Sequence, residues 1–216
     1  IVLTFDLLLA IILLLFYSWM QIIRTHDNFY SQDLNLEIKE IWILIADMIG
    51  SLNLASGSSI ADIGSAIGVF PNYLRERFPD FHVNAFEFLE ESVLTAKQLF
   101  PELNISQADI TDNSYWRANF SCITCLGVLS IFDDFKSPLI NIKSALAPGG
   151  YIFIHSLFNP YPIDVFVKYK TSSVDSSILE PGWNIFSQST YQEYLESLGF
   201  IDIQFTEFTI SKALTS

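Results

Sequence analysis

The feature that most constrains this chain is a short apolar strand, Ser59 to Ile63, running into Gly64-Ser65-Ala66-Ile67-Gly68 and then into a helix over Phe70 to Phe78. Two glycines this close, between an apolar run and a helical one, allow a sharp turn and a close approach of ligand to backbone. In sheets with alternating helices, ligands gather at the carboxyl ends of the strands, beside the first such turn. The rest of the chain repeats the alternation. Strands are predicted over His82 to Phe86, Asn104 to Gln107, Ser121 to Leu126 and Tyr151 to Ser156. Helices are predicted over Leu34 to Ile49, Glu91 to Phe100 and Lys136 to Leu146, with turns at Pro79, Pro101 and Ala147-Pro148-Gly149-Gly150. This order predicts an α/β fold with a doubly wound, mainly parallel sheet.

Leu157 to Gln188 reads as a long irregular stretch of the kind that carries function. Thr190 and Glu193 then form a capping-box pattern opening a helix over Tyr191 to Leu198, and Phe200 to Phe208 alternates as a last strand. The expected organisation is a hydrophobic segment 1–23, a helical cap 24–56, a ligand-binding domain 57–208 and a tail 209–216 that reads as truncated, with a last strand missing. Residues 1–23 are apolar enough, and nearly long enough, to anchor a catalytic domain on the cytoplasmic face of a membrane. They read equally as a packed helix, or as sequence ahead of a start at Met20.

Charge narrows the partners. The formal net charge is −13, with 11 Lys and Arg against 24 Asp and Glu, whereas nucleic acids are held largely by Lys and Arg on phosphates. Nucleic acid is therefore not the expected partner. Cys122 and Cys125 stand alone in an apolar strand, without further ligands at zinc spacing, and read as buried reduced thiols; no metal is expected.

Spacing within the turn separates two nucleotide-binding patterns. A dinucleotide fingerprint wants small residues at its first, third and sixth positions, here Gly64, Ala66 and Val69, and Val69 fails it. Acidic-x-Gly-x-Gly-x-Gly fits at Asp62, Gly64, Ala66 and Gly68, with Ala66 the one departure. On these residues the chain resembles class I, Rossmann-like S-adenosylmethionine-dependent methyltransferases over about residues 35–208. The resemblance implies S-adenosylmethionine as cofactor, with Asp62, Gly64, Ser65, Ala66 and Gly68 around it. It implies that Glu87, followed by Phe88, takes the ribose hydroxyls, that Asp109 and Ile110 hold the adenine, and that Leu126 to Leu129 pass beneath the methionine part.

His155, at the end of the fifth predicted strand, is the best-placed candidate base because imidazole titrates near neutrality. Asp133, Asp134 and Tyr161 are weaker candidates, and His26 and His82 lie far from the expected mouth. The Asn/Asp-Pro-Pro-aromatic signature of enzymes that methylate nucleobase or glutamine amines is absent after the fourth strand, which reads Leu126-Gly127-Val128-Leu129. The expected acceptor is thus a small molecule, a sugar or a lipid-linked intermediate, with Tyr161 and Trp183 as stacking surfaces. Phe158 to Lys170 and Gly182 to Ser187 also look similar to methyltransferases of surface-polysaccharide synthesis. A catalytically silent cofactor-binding scaffold and a nicotinamide-dependent oxidoreductase are the competing readings.

Overall fold

The computed structural model describes residues 34–113, 116, 119–170 and 179–209. The proposed anchor 1–23 lies outside them; among the described residues no helix is long and apolar enough to cross a membrane.

Strands β1 (Ser59–Ile63), β2 (His82–Glu87), β3 (Asn104–Gln107), β4 (Phe120–Leu126) and β5 (Leu146–His155) form one parallel sheet in the order β3-β2-β1-β4-β5. The chain leaves β1 outward through β2 and β3, then returns to lay β4 on its other side, so the winding reverses between β1 and β4. That reversal opens a crevice at the strand tips.

Alternate residues of each strand face opposite layers. Ile60, Val83 and Cys122 pack under α1 (Glu40–Ser51) and α2 (Val69–Arg77). Ala85 and Ile105 receive α3 (Glu90–Leu99). Ala61, Ile63, Ile123 and Cys125 face α4 (Lys136–Ala145) and α5 (Gln188–Ser197). The two cysteines are buried and free, on opposite faces of β4, so they cannot bridge each other.

Four local expectations are corrected. Residues 34–39 are not helical: Lys39 is extended (φ −73°, ψ 144°) and α1 begins at Glu40. Alanine-proline-diglycine 147–150 does not separate α4 from β5 but bulges within β5, where Phe120 pairs with Leu146 and Cys122 with Tyr151. The cap of α5 is Ser187, whose hydroxyl accepts from the Thr190 amide, three residues ahead of the predicted box. Phe200 to Phe208 forms no strand; Asp202 takes a left-handed φ of 55° that interrupts an extended run, although Phe205 still packs on Phe158.

The stretch after β5 is more ordered than its composition predicts. β6 (Phe158–Asn159) pairs with β9 (Phe186–Ser187), and β7 (Lys168–Tyr169) with β8 (Glu180–Pro181). Asn184, fully buried, pins this insertion to the loop after β4. Its amide nitrogen donates to the Phe132 carbonyl at 2.9 Å, its carbonyl accepts from the Val167 amide at 2.8 Å, and its own backbone amide donates to Ser130 at 2.7 Å.

Candidate active site

A cavity of about 840 Å³ opens over the tips of β1, β2, β4 and β5, at the upper end of the roughly 300–1,000 Å³ range of ligand pockets. Asp62, Gly64, Ser65, Ala66, Glu87, Phe88, Asp109, Ile110, Leu126, His155 and Trp183 all line it, so residues more than a hundred positions apart meet around one cavity. Gly68 and Tyr161 do not. At Gly68 (φ 84°) a β-carbon would meet Leu103 at 2.9 Å and Ala96 at 3.1 Å, so the missing side chain lets the start of α2 sit close against α3. Tyr161 is 69% exposed on the surface of the insertion.

The turn spends its amides internally. Gly64 N and Ser65 N donate to the Phe86 carbonyl at 2.8 and 3.1 Å, Gly68 N donates to Ser65 O at 2.9 Å, and Ala66 N donates to Glu87 Oε2 at 2.8 Å. A phosphate cradle needs such amides turned toward the ligand. Here they hold the loop, and the groups left at the strand tips are carboxylates. Ala66 sits at φ 46°, where a glycine would be relaxed and an alanine is not. Gly64 (φ 78°) admits no side chain, since a β-carbon would lie 2.1 Å from Val128 Cγ2.

Three acids face the cavity. Asp62 is buried on β1 and accepts from Thr124 Oγ1 at 2.7 Å across the β1–β4 ladder. Burial pushes its carboxyl up to about 6, a rise that the Thr124 and Ser65 hydroxyls temper and the negative Glu87 reinforces. Glu87, at the end of β2, accepts from Ala66 N through one oxygen and from Leu89 N at 2.9 Å through the other. Each carboxylate oxygen has a further lone pair, so these bonds orient the group without exhausting it. Asp109 Oδ1 accepts the amide and hydroxyl of Thr111, both at 2.7 Å, and its backbone carbonyl accepts from Trp116 Nε1 at 3.0 Å.

The opposite wall differs. His155, half-buried at the end of β5, has its imidazole held below its ordinary 6.5 by burial and by the positive charge of Lys39. Ser156 follows it, its hydroxyl withdrawn from solvent and without a hydrogen-bond partner among the described residues. Lys39, Trp42 and Phe132 also line the cavity and escaped the sequence reading. Trp42 was legible only as a core residue of α1, although its ring packs on Phe70 at 5.6 Å between centroids. Lys39 carried no signal.

Residues 43–204 match the family described as Methyltransferase domain, and the chain belongs to that family. Solved structures share the fold: an S-adenosylmethionine-bound amino pentose methyltransferase of calicheamicin biosynthesis from Micromonospora echinaspora is 14% identical, with 81% of this chain and 87% of that one covered and a TM-score of 0.58. A sugar N-methyltransferase from Streptoalloteichus is 16% identical, with 82% and 84% covered and a TM-score of 0.58. By sequence, a tRNA U34 carboxymethyltransferase from Campylobacter curvus is 32% identical over 114 residues, half of this chain; the match takes in 37% of that protein's length.

Proposed function

We propose that this chain transfers a methyl group from S-adenosylmethionine to a small-molecule, sugar or lipid-linked acceptor rather than to nucleic acid. The observation that carries the reading is the sign of the cavity: three carboxylates at the strand tips, beside a turn in which the amides of Gly64, Ser65, Ala66 and Gly68 are already taken. Such a wall rejects a pyrophosphate and suits a ligand that brings cationic nitrogen or sulfur together with hydroxyls. The cofactor supplies an electrophilic methyl group on a positively charged sulfur. Asp62, Glu87 and Asp109 would hold it, with Phe88, Ile110 and Leu126 as apolar walls and Ser65 and Ala66 closing the turn.

For an alcohol acceptor, His155 takes the proton released as the acceptor oxygen bonds to carbon. Its depressed pKa leaves the imidazole neutral and able to accept at neutral pH. Trp183, held by the Asn184 pin, offers a flat surface to a sugar or ring. Residues 57–208 form the cofactor-binding domain on this reading, and the segment ahead of them a cap. The net charge of −13 disfavours a polyanionic acceptor, and the two structural neighbours named above are an amino pentose methyltransferase and a sugar N-methyltransferase.

Calorimetry with S-adenosylhomocysteine tests the cofactor site, with folding of each variant checked by circular dichroism. Wild type binds, and Asp62→Ala or Glu87→Ala loses at least tenfold in affinity. Unaltered affinity in both folded variants sinks the assignment. A labelled-methyl screen over sugars, small alcohols, lipid-linked sugars and bulk tRNA then tests the acceptor class. Labelling of tRNA alone overturns the small-molecule reading, and cofactor binding without transfer to anything favours the silent scaffold.

A further inference from the structure

The cavity is electrically polarised. Its β1–β2–β3 side carries Asp62, Glu87 and Asp109, while at the β5 side lies Lys39, the one Lys or Arg among the described residues that line it. Lys39 is fixed at its root, because its carbonyl accepts from the amides of Trp42 and Ile43 at the start of α1. Its ammonium rests over the Trp42 ring, 4.8 Å from the centroid. Lys39 is exposed as a residue, and the ring contact places its ammonium at the solvent-facing rim of the cavity. No carboxylate among the described residues forms an ion pair with it, although the protein carries 24 acids against 11 basic residues. Other lysines among the described residues also lack an ion pair, but Lys39 alone of them lines the cavity. It sits close enough to His155 for its charge to act on the imidazole.

On the reading that this is a methyltransferase with His155 at the acceptor end, we infer that Lys39 is a specificity-determining residue that selects an anionic acceptor, one carrying a carboxylate or a phosphate near the atom to be methylated. The acidic side would repel such an acceptor from the cofactor's place, and the cationic side would draw it in. A charge-assisted hydrogen bond from the ammonium is about twice as strong as a neutral one. The polarity therefore orients the acceptor as well as choosing it. Trp42, beneath the ammonium, gives the same group an apolar wall, so that a monosaccharide acid or sugar phosphate meets charge and ring together.

The test uses the full chain saturated with S-adenosylhomocysteine, following tryptophan fluorescence and the His155 imidazole resonance during titration with glucose, glucuronate, glucose 6-phosphate and orthophosphate. Glucuronate or glucose 6-phosphate is expected to bind at least tenfold more tightly than glucose and to shift the His155 signal. Lys39→Gln should erase that preference and Lys39→Arg keep it, with S-adenosylhomocysteine affinity within twofold of wild type in both. Glucuronate against glucose 6-phosphate separates carboxylate from phosphate recognition, and orthophosphate shows whether the anion suffices without the sugar. The inference is overturned if none of the anions saturates, if glucose binds as well as its charged counterparts, or if the preference survives Lys39→Gln. Failure of wild type to bind S-adenosylhomocysteine is a separate result and sinks the methyltransferase reading instead.

Discussion

Asp62 is a buried acid that the folded protein holds at a cost, and replacing it with asparagine should make that cost visible. Its carboxyl titrates near 6 in the folded chain against an ordinary 3.8. Each pKa unit corresponds to about 1.4 kcal/mol, so the ionised folded form is penalised by roughly 3 kcal/mol relative to the unfolded chain. Below pH 3.8 the group is protonated in both states and the penalty is absent. Between 3.8 and 6 the folded state keeps a proton that the unfolded state has lost, so stability falls as pH rises. Above 6 the loss is complete and constant. Asparagine keeps an oxygen to accept from Thr124 Oγ1 and carries no charge, but its amide protons need partners in a site that is 3% exposed. Asp62→Asn should therefore gain about 1–3 kcal/mol in urea unfolding at pH 7.5, with the gain shrinking toward zero at pH 4.5. Cofactor affinity, read by calorimetry with S-adenosylhomocysteine, should drop at the same time, because a fixed negative charge has been removed from the acidic wall. A stability difference that is the same at both pH values, or a loss at pH 7.5, refutes the argument that desolvation of Asp62 dominates this site.

Three other outcomes are expected. Ala66→Gly relieves the left-handed φ of 46° and should stabilise the chain by about 1 kcal/mol in the urea midpoint, at unchanged m-value, while keeping the amide that Glu87 accepts. His155→Gln should lower kcat at least a hundredfold for an alcohol acceptor with little change in KM. In the wild type, activity should fall on acidification with a midpoint below 6.5, the His155 contribution being the part of that limb the variant lacks. Asn184→Ala strands the Val167 amide and the Phe132 carbonyl and should cost about 2–3 kcal/mol. Faster hydrogen exchange across 157–170 and 179–187, together with a raised acceptor KM at unchanged cofactor affinity, would show that this pin sets the position of Trp183.

How much of this was legible depended on whether a residue's role is local. β1 and β3 fall at their predicted bounds, and β2, α2, α3 and α4 within one residue, because a strand or helix end is written in adjacent turn residues such as Pro79 and Pro101. The acidic wall was legible for a related reason. Asp62, Glu87 and Asp109 each sit at or just past a strand end, and a parallel sheet brings strand ends together without further instruction. The packing role of Gly68 was not legible, because helix-to-helix packing and ligand approach both demand a missing side chain, and only the fold brings Ala96 and Leu103 close to it. Lys39, Trp42 and Asn184 were illegible because their partners lie far along the chain or across the sheet: Lys39 acts on His155, Trp42 packs on Phe70, and Asn184 joins Phe132 to Val167. Those long-range pairs shape the β5 side of the cavity, whereas local turns and strand ends shape its acidic side. The same division explains why a sequence reading reaches the acidic side of the cavity readily and the opposite side poorly: Asp62, Glu87 and Asp109 follow from where strands end, whereas Lys39, Trp42 and Trp183 come from the segment ahead of β1 and from the insertion after β5.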